Sequence, residues 1–274
     1  GEKRKRHGEM LDEKVERDSV TLAYEGLDRM RRTTRVECSA AGNKTHAGGI
    51  LIPLHLEAQG ESAFDIRVVC LREDIEVKVQ PYDPALQALV QERSTGPLAD
   101  VRIDTSSERF NHWIRRSQSD LAMMITQTPY GPYPYAGVPW YATIFGRDGI
   151  ITALELLWLA PEVARGVLQY LAATQATSFD PERDAEPGKI LHELRKGEMA
   201  ELGEVPFGRY YGTVDGTPLF LVLAAAYYER TGDEEFLRSI WPNVLAALEW
   251  VDRYGDRDGD GFGEYDRQND NGLV

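Results

Sequence analysis

The spacing of apolar residues changes once along this chain, and that change limits what the chain can fold into. Through about residue 80, apolar side chains recur at every second position. The sets are Val20, Leu22 and Tyr24; Ile50, Ile52, Leu54 and Leu56; Phe64, Ile66, Val68 and Cys70; and Ile75, Val77 and Val79. Period two is the pleat of a β-strand and assigns each set to one buried face. Glu25-Gly26, Gly42-Asn43 and Gly48-Gly49 supply turns between them. A complete sandwich usually has about seven strands. Residues 1–80 are therefore expected to be the C-terminal part of an antiparallel β-sandwich whose N-terminal side is missing.

From residue 106 the spacing becomes helical. Ser106 or Ser107 can cap a first helix carrying Phe110, Trp113, Ile114, Leu121, Met124 and Ile125 on one face. Pro129, Pro132 and Pro134 end it. A second helix is expected from about Arg147 to Trp158, a third from Pro161 to about Ala176, and two more over 217–230 and 233–254. Thr231-Gly232 is a short connection of the kind that joins antiparallel neighbours. The helix after Thr217 is apolar nearly all round, which suits an inner helix of a two-layer helical toroid. Between the two regions, 81–105 carries Pro81, Pro84, Gly96 and Pro97 and reads as a linker with a helical turn at 84–92.

Composition narrows the partners. The net charge of −14 argues against nucleic acid and anionic membranes. The basic run Lys3–Arg6 reads as a solvated tail or loop. The longest apolar run, Pro218–Tyr228, is short of the roughly 18 residues that a membrane span requires. Cys38 and Cys70 stand in no metal-binding spacing and are expected to be buried thiols or at most one disulfide, so the reducing cytoplasm is the expected compartment.

Two long irregular stretches, 129–148 and 178–216, concentrate aromatic and ionisable residues. Loops of that length in a compact domain usually carry function. Aromatic faces ringed by carboxylate, Arg and His suit sugars: the ring stacks on C–H faces while charged groups bind hydroxyls. The strings are Gly137-Val-Pro-Trp140 and Phe145-Gly-Arg-Asp148; His192-Glu-Leu-Arg195 followed by Gly197-Glu198; and Tyr210-Tyr-Gly-Thr-Val-Asp215-Gly-Thr-Pro218.

Taken in this order, the strings resemble the bacterial amylo-α-1,6-glucosidase (glycogen debranching) family, whose members pair an N-terminal β-sandwich with an (α/α)6 barrel. The resemblance covers nearly the whole chain and is strongest over 104–265. It implies a multi-domain α and β chain: part of an antiparallel β-sandwich, then the first helices of an (α/α)6 toroid over 106–274. It also implies an oligo- or polysaccharide substrate, hydrolysis of α-glucosidic bonds with inversion, α-1,6 branch points among them, and no required cofactor.

Carried over residue by residue, Arg147-Asp148 resembles the pair that grips sugar hydroxyls at the cleavage subsite, flanked by Trp140 and Phe145. Arg147 beside Asp148 is expected to keep that carboxylate ionised; the plainer reading of Asp148 is an acid favoured by a helix N-terminus. His192 and Arg195 become a subsite wall, or else part of a loop-stitching ionic network, and Glu193 a candidate catalytic carboxylate. Tyr210, Tyr211 and Asp215 fall at the barrel mouth; packing tyrosines and an Asp215 that caps the helix with Thr217 are the plainer alternative. The family's acid lies on a Gly-Trp-x-Asp-Ser stretch soon after a segment like Asp256–Leu273, and its base later still. The acid and base are thus expected beyond Val274, and the 274 residues alone to be inactive.

One further motif, Asp256-Arg-Asp258-Gly-Asp260-Gly-Phe-Gly-Glu264, places acids and Gly261 as an EF-hand loop does. It departs at position twelve, which is Arg267. A calcium site and an acidic turn after a helix are the two readings. A sugar-binding or scaffold module without chemistry is the alternative function. An isoprenoid cyclase is disfavoured, because its acidic motifs lie on helices and these acids alternate with glycines.

Overall fold

The computed structural model describes residues 6–73, 79–205, 208–266 and 268–269. The expected strand over Ile75 and Val77, most of the basic run, Pro206, Arg267 and Leu273 lie outside these. The chain divides into two compact units, Gly1–Gln91 and Glu92–Val274.

The first unit is an antiparallel sheet. Strands β3 (Ser19–Glu25), β4 (Arg31–Cys38) and β7 (Ile66–Arg72) run side by side, with the short β1 (Glu9–Met10) and β2 (Lys14–Val15) both paired to β3. The register sets Val20 opposite Val36, and Val36 opposite Val68. A separate hairpin joins β5 (Lys44–His46) to β6 (Gly49–Leu51). Three expectations need correction. Of the set Ile50–Leu56 only Ile50 lies in the interior of a strand, and Leu54 and Leu56 are exposed. In β7 the set Ile66, Val68 and Cys70 is the exposed face, and it is Val69 that is buried. Cys38 and Cys70 are both free, and Cys70 is exposed.

The segment read as a linker contains a full helix, α1 (Tyr82–Thr95), none of whose residues is buried. Its apolar residues Leu86, Leu89 and Val90 face solvent.

In the second unit α2 (Glu108–Met124) begins at Ser107, whose hydroxyl accepts the Phe110 N–H at 3.4 Å. Its only buried residue is Asn111, and Phe110 and Trp113 remain exposed on the expected apolar face. A hairpin of β8 (Ile125–Thr128) and β9 (Gly131–Pro134), not anticipated from the proline pattern, follows directly. Then come α3 (Gly146–Leu156), α4 (Pro161–Thr174), the short α5 (Glu198–Glu201), α6 (Gly216–Thr231) and α7 (Glu234–Trp250).

Helices α3, α4 and α6 pack on one another, and α6 on α7, around Ile150, Leu168, Leu171, Ile190, Leu191, Phe220 and Leu223, all fully buried. Each such side chain contributes roughly 1.5–3 kcal/mol of hydrophobic stabilisation. Helix α6 buries one stripe, Thr217, Phe220, Leu223, Ala224 and Tyr227, while Val222 and Tyr228 stay exposed, so it is not enclosed on most sides. It ends at Gly232 in the left-handed region (φ 66°), whose N–H reaches the Tyr228 carbonyl at 2.8 Å. Asp233 then caps α7 through the Phe236 N–H at 3.1 Å. None of the described helices is long and apolar enough to cross a membrane.

Candidate functional site

The site is built where three irregular segments meet at the start of α3. The β8–β9 hairpin lies against α4 so closely that a Cβ on Gly166 would stand 2.2 Å from the Pro132 carbonyl oxygen. That contact fixes Tyr133, which is fully buried and donates its hydroxyl to the Phe145 carbonyl at 2.8 Å. Phe145 occupies the N-cap position of α3 and bridges Glu193, and Glu193 in turn bridges Tyr210. The Gly146 N–H donates to the His192 carbonyl at 2.9 Å and the Leu194 N–H to the Ile144 carbonyl at 3.1 Å. The His192 and Glu193 N–H groups both reach the Tyr210 carbonyl, at 2.8 and 3.1 Å. Backbone groups that loops would leave unpaired are thereby satisfied by one another.

On this frame the side chains fall into two ion pairs around an imidazole. Arg147 donates to Asp215 at 3.2 Å, across 68 residues of sequence, and Thr213 donates to the other Asp215 oxygen. Burial pushes the Asp215 carboxyl up, but the bonds from Thr213 and Arg147 and the Arg147 charge outweigh it, and the net shift is downward. Arg147 is thus paired with Asp215 and not with its neighbour Asp148, whose carboxylate has no partner among the described residues. Asp215 stands at the N-cap position of α6 but makes no capping bond, and Thr217 instead accepts the Ile190 N–H at 3.0 Å; the expected shared cap is not formed.

The second pair is Arg195 with Glu193. Arg195 also donates to the Trp140 carbonyl, and its guanidinium lies 5.4 Å from the Phe145 ring centroid and 5.8 Å from that of Tyr141. Glu193 itself is buried. Between the pairs sits His192, buried, with its ring edge-to-face on Phe145 and on Tyr210 at 5.9 Å each. Its Nδ1 is buried and has no hydrogen-bond partner. Burial, then the Arg147 charge, push its pKa down, against Asp215 and Asp148, so the ring is neutral at pH 7. The Trp140 ring is 78% exposed, open to stack on a ligand.

The geometry thus brings together Phe145, Arg147, Asp148, His192, Glu193, Arg195 and Asp215, with Trp140 at the rim. Tyr210 is fully buried, and the Tyr211 hydroxyl donates into the core, to the Thr174 carbonyl at 2.7 Å.

Residues 1–67 match the family model for the N-terminal domain of (some) glycogen debranching enzymes. No curated protein matches the chain. The match lies in the sheet unit and supports the glycogen-debranching context at that level.

Two more clusters belong to the helical unit. In the acidic loop, Asp256, Asp258, Asp260 and Glu264 hold one oxygen each within 4.8 Å of one another. Asp256 accepts the Gly259 and Gly261 N–H groups at 2.7 and 3.0 Å, and Glu264 accepts that of Arg257 at 2.6 Å, a fold in which four carboxylates could share a cation.

The other cluster went unnoticed in the sequence: Asp184, Glu186, Lys189, Trp250 and Arg257. Buried Glu186 accepts from Trp250 Nε1 at 2.8 Å and Arg257 at 3.1 Å, with Lys189 Nζ at 3.4 Å. Burial pushes the Lys189 ammonium pKa down, against the pull of Glu186. Asp184 accepts the Gln268 and Asn269 N–H groups at 2.7 and 2.8 Å. Asp184-Ala-Glu186 and Lys189 stand among other charged residues, Asp180, Glu182, Arg183 and Glu193, so nothing in the sequence singled them out as the buried set.

Proposed function

We propose that this chain carries the sugar-gripping half of a glycoside hydrolase of the glycogen-debranching type, acting on α-glucosidic bonds, α-1,6 branch points included, with inversion. The observation that carries the reading is the convergence of Arg147, Asp148, His192 and Arg195 beside an exposed Trp140. The free Asp148 carboxylate accepts sugar hydroxyls with charge assistance and Arg147 donates to them, while neutral, buried His192 packs beneath them between Phe145 and Tyr210. Trp140 supplies a stacking face.

Inverting hydrolysis needs a protonated acid and a base flanking the bond. Asp215 is held ionised and so cannot be the acid. Glu193 is tied to Arg195, which makes it a positioning residue in this reading. The acid and base are proposed to lie on the family's later stretches, as the motif order implies. The same two commitments favour one alternative, a carbohydrate-binding module without chemistry, which shares this site. The acidic loop is proposed to hold calcium through Asp256, Asp258, Asp260 and Glu264.

Titration calorimetry of the chain with maltooligosaccharides tests the site. Asp148→Asn is expected to weaken binding roughly tenfold or more, the worth of a charge-assisted bond. Trp140→Ala is expected to weaken it about three- to tenfold. Absence of binding at millimolar sugar, or binding indifferent to both substitutions, overturns the reading. Hydrolysis of branched glucans by a longer protein carrying this chain separates the enzyme from the binding module.

A further inference from the structure

Residues 142–144 also line a cleft of about 390 Å³, together with Gln127 and Thr128 of the hairpin, Tyr135, Tyr170 of α4, Arg195 and Lys196. Its volume is that of a small-ligand site.

Four observations set its chemistry. The protein has 45 acidic and 31 basic side chains, yet no carboxylate lines this cleft. Lys196 is exposed at its rim and has no hydrogen-bond or ion-pair partner among the described residues, in a protein where acids outnumber bases. Arg195 is partly neutralised by Glu193, which does not line the cleft, and keeps N–H donors beyond those given to Glu193 and the Trp140 carbonyl. The fourth observation is Tyr170. Its ring is clamped edge-on by Tyr130 at 5.5 Å and Tyr133 at 5.2 Å, while its hydroxyl has no partner among the described residues. Burial, with Tyr135 nearby, keeps that phenol protonated. An uncommitted ammonium, guanidinium donors, a fixed phenol and the Gln127 amide fit a ligand with one anionic group and several hydroxyls.

We propose that this cleft is a second binding site, distinct from the glucan-gripping side of the same segment, and that it takes an anionic monosaccharide, a hexose bearing a phosphate or a carboxylate. Lys196 meets the anion, and Tyr170 and Gln127 meet hydroxyls. The ligand's charge separates it from the neutral glucan. The two sites share Arg195, so occupancy of one is felt at the other.

The test is calorimetry on the whole chain at low and moderate salt, with glucose 6-phosphate and glucuronate as anionic probes and with glucose and inorganic phosphate as partial ones. At least one anionic sugar is expected to bind about tenfold tighter than both partial probes, the worth of one charge-assisted contact, and to weaken as salt rises. Lys196→Glu, at an exposed position, is expected to weaken that binding tenfold or more, and Tyr170→Phe about threefold. Maltooligosaccharide affinity should be unchanged in Lys196→Glu, so loss of glucan binding and loss of anion binding are read separately. Glucose binding as well as the acids, phosphate binding as well as the sugars, no saturable binding of either acid at millimolar concentration, or a Lys196→Glu variant with unchanged affinity each overturns the proposal.

Discussion

Replacing Gly146 by alanine should loosen the candidate site and destabilise the helical unit, although alanine is the better helix former. A Cβ at position 146 would stand 1.9 Å from the Leu191 carbonyl oxygen, and the shortest real contacts begin at 3.0 Å, so the two backbones must part by about 1.1 Å. The same movement stretches the Gly146 N–H bond to the His192 carbonyl, now 2.9 Å, to about 4 Å, where no hydrogen bond survives. Overpacking costs about 1–3 kcal/mol and the orphaned buried N–H roughly another 1–3, against about 1 kcal/mol gained from helix propensity. The net expectation is a loss of about 1–5 kcal/mol. Urea denaturation of wild type and Gly146→Ala measures it. Gly96→Ala, whose Cβ would meet nothing closer than 3.5 Å, is the control and should be near neutral. Because α3 carries Arg147 and Asp148, maltooligosaccharide affinity should also fall, a 1 Å misplacement being enough to cost up to a hundredfold in positioned chemistry. A Gly146→Ala protein within 0.5 kcal/mol of wild type refutes the claim that α3 is seated by backbone contact.

Three other outcomes are expected. His192 has its pKa depressed below the ordinary 6.5, so the unfolded chain takes up a proton first as pH falls. The stability held by the neutral ring is complete above pH 6.5 and is lost as pH drops through the folded value, and His192→Gln should flatten that part of the pH 7.5 to 5 stability profile; a wild-type-minus-variant difference that is constant with pH counts against it. Glu186→Ala strands Lys189 and Arg257 and should cost about 3–5 kcal/mol in denaturant unfolding, largely recovered by adding Lys189→Met; a cost under 1 kcal/mol would show that the pair is not dry. Calcium at a hundred times its dissociation constant should stabilise the helical unit by about 2.7 kcal/mol, an effect weakened by Asp260→Asn and not reproduced by magnesium; superposable melting curves in calcium and chelator dispose of the site.

Element boundaries were legible where one residue type decides them. Ser107, one of the two serines that could cap the first long helix, does cap it, and Gly232 and Asp233 fall in the expected short connection and helix start, where they act through backbone freedom and side chain respectively. The inward face of β7 was not legible. Val68 and Val69 are adjacent and apolar, so period two separates two faces without saying which is buried, and Val69 and Leu71 lost to Ile66, Val68 and Cys70 by number. The Asp215 cap fails for a conformational reason. An N-cap residue uses extended backbone, whereas Asp215 at φ −83°, ψ −25° is already helical, which turns its carboxylate towards Thr213 and Arg147. Arg147 with Asp148 was a pairing of sequence neighbours. Consecutive residues on a helix point about 100° apart, so the guanidinium finds its partner 68 residues away, where only the tertiary fold could bring it.

That distance also bears on how such a site keeps its shape without a sheet or a long helix to carry it. Segments 144–146, 192–194 and 210 exchange only a few backbone bonds, and no pair of them would hold alone. Each is pinned a second time by a side-chain bond: buried Tyr133 donates to the Phe145 carbonyl, half-buried Thr143 to the Leu194 carbonyl at 2.5 Å, and Tyr211, next to Tyr210, to the Thr174 carbonyl at 2.7 Å. The exposed ends of Arg147, Asp148 and Trp140 can therefore meet solvent or a ligand while their backbones stay fixed. A sugar that loses its own freedom on binding is held tightly only if the protein has little left to lose, and the double pinning of three loops meets that requirement.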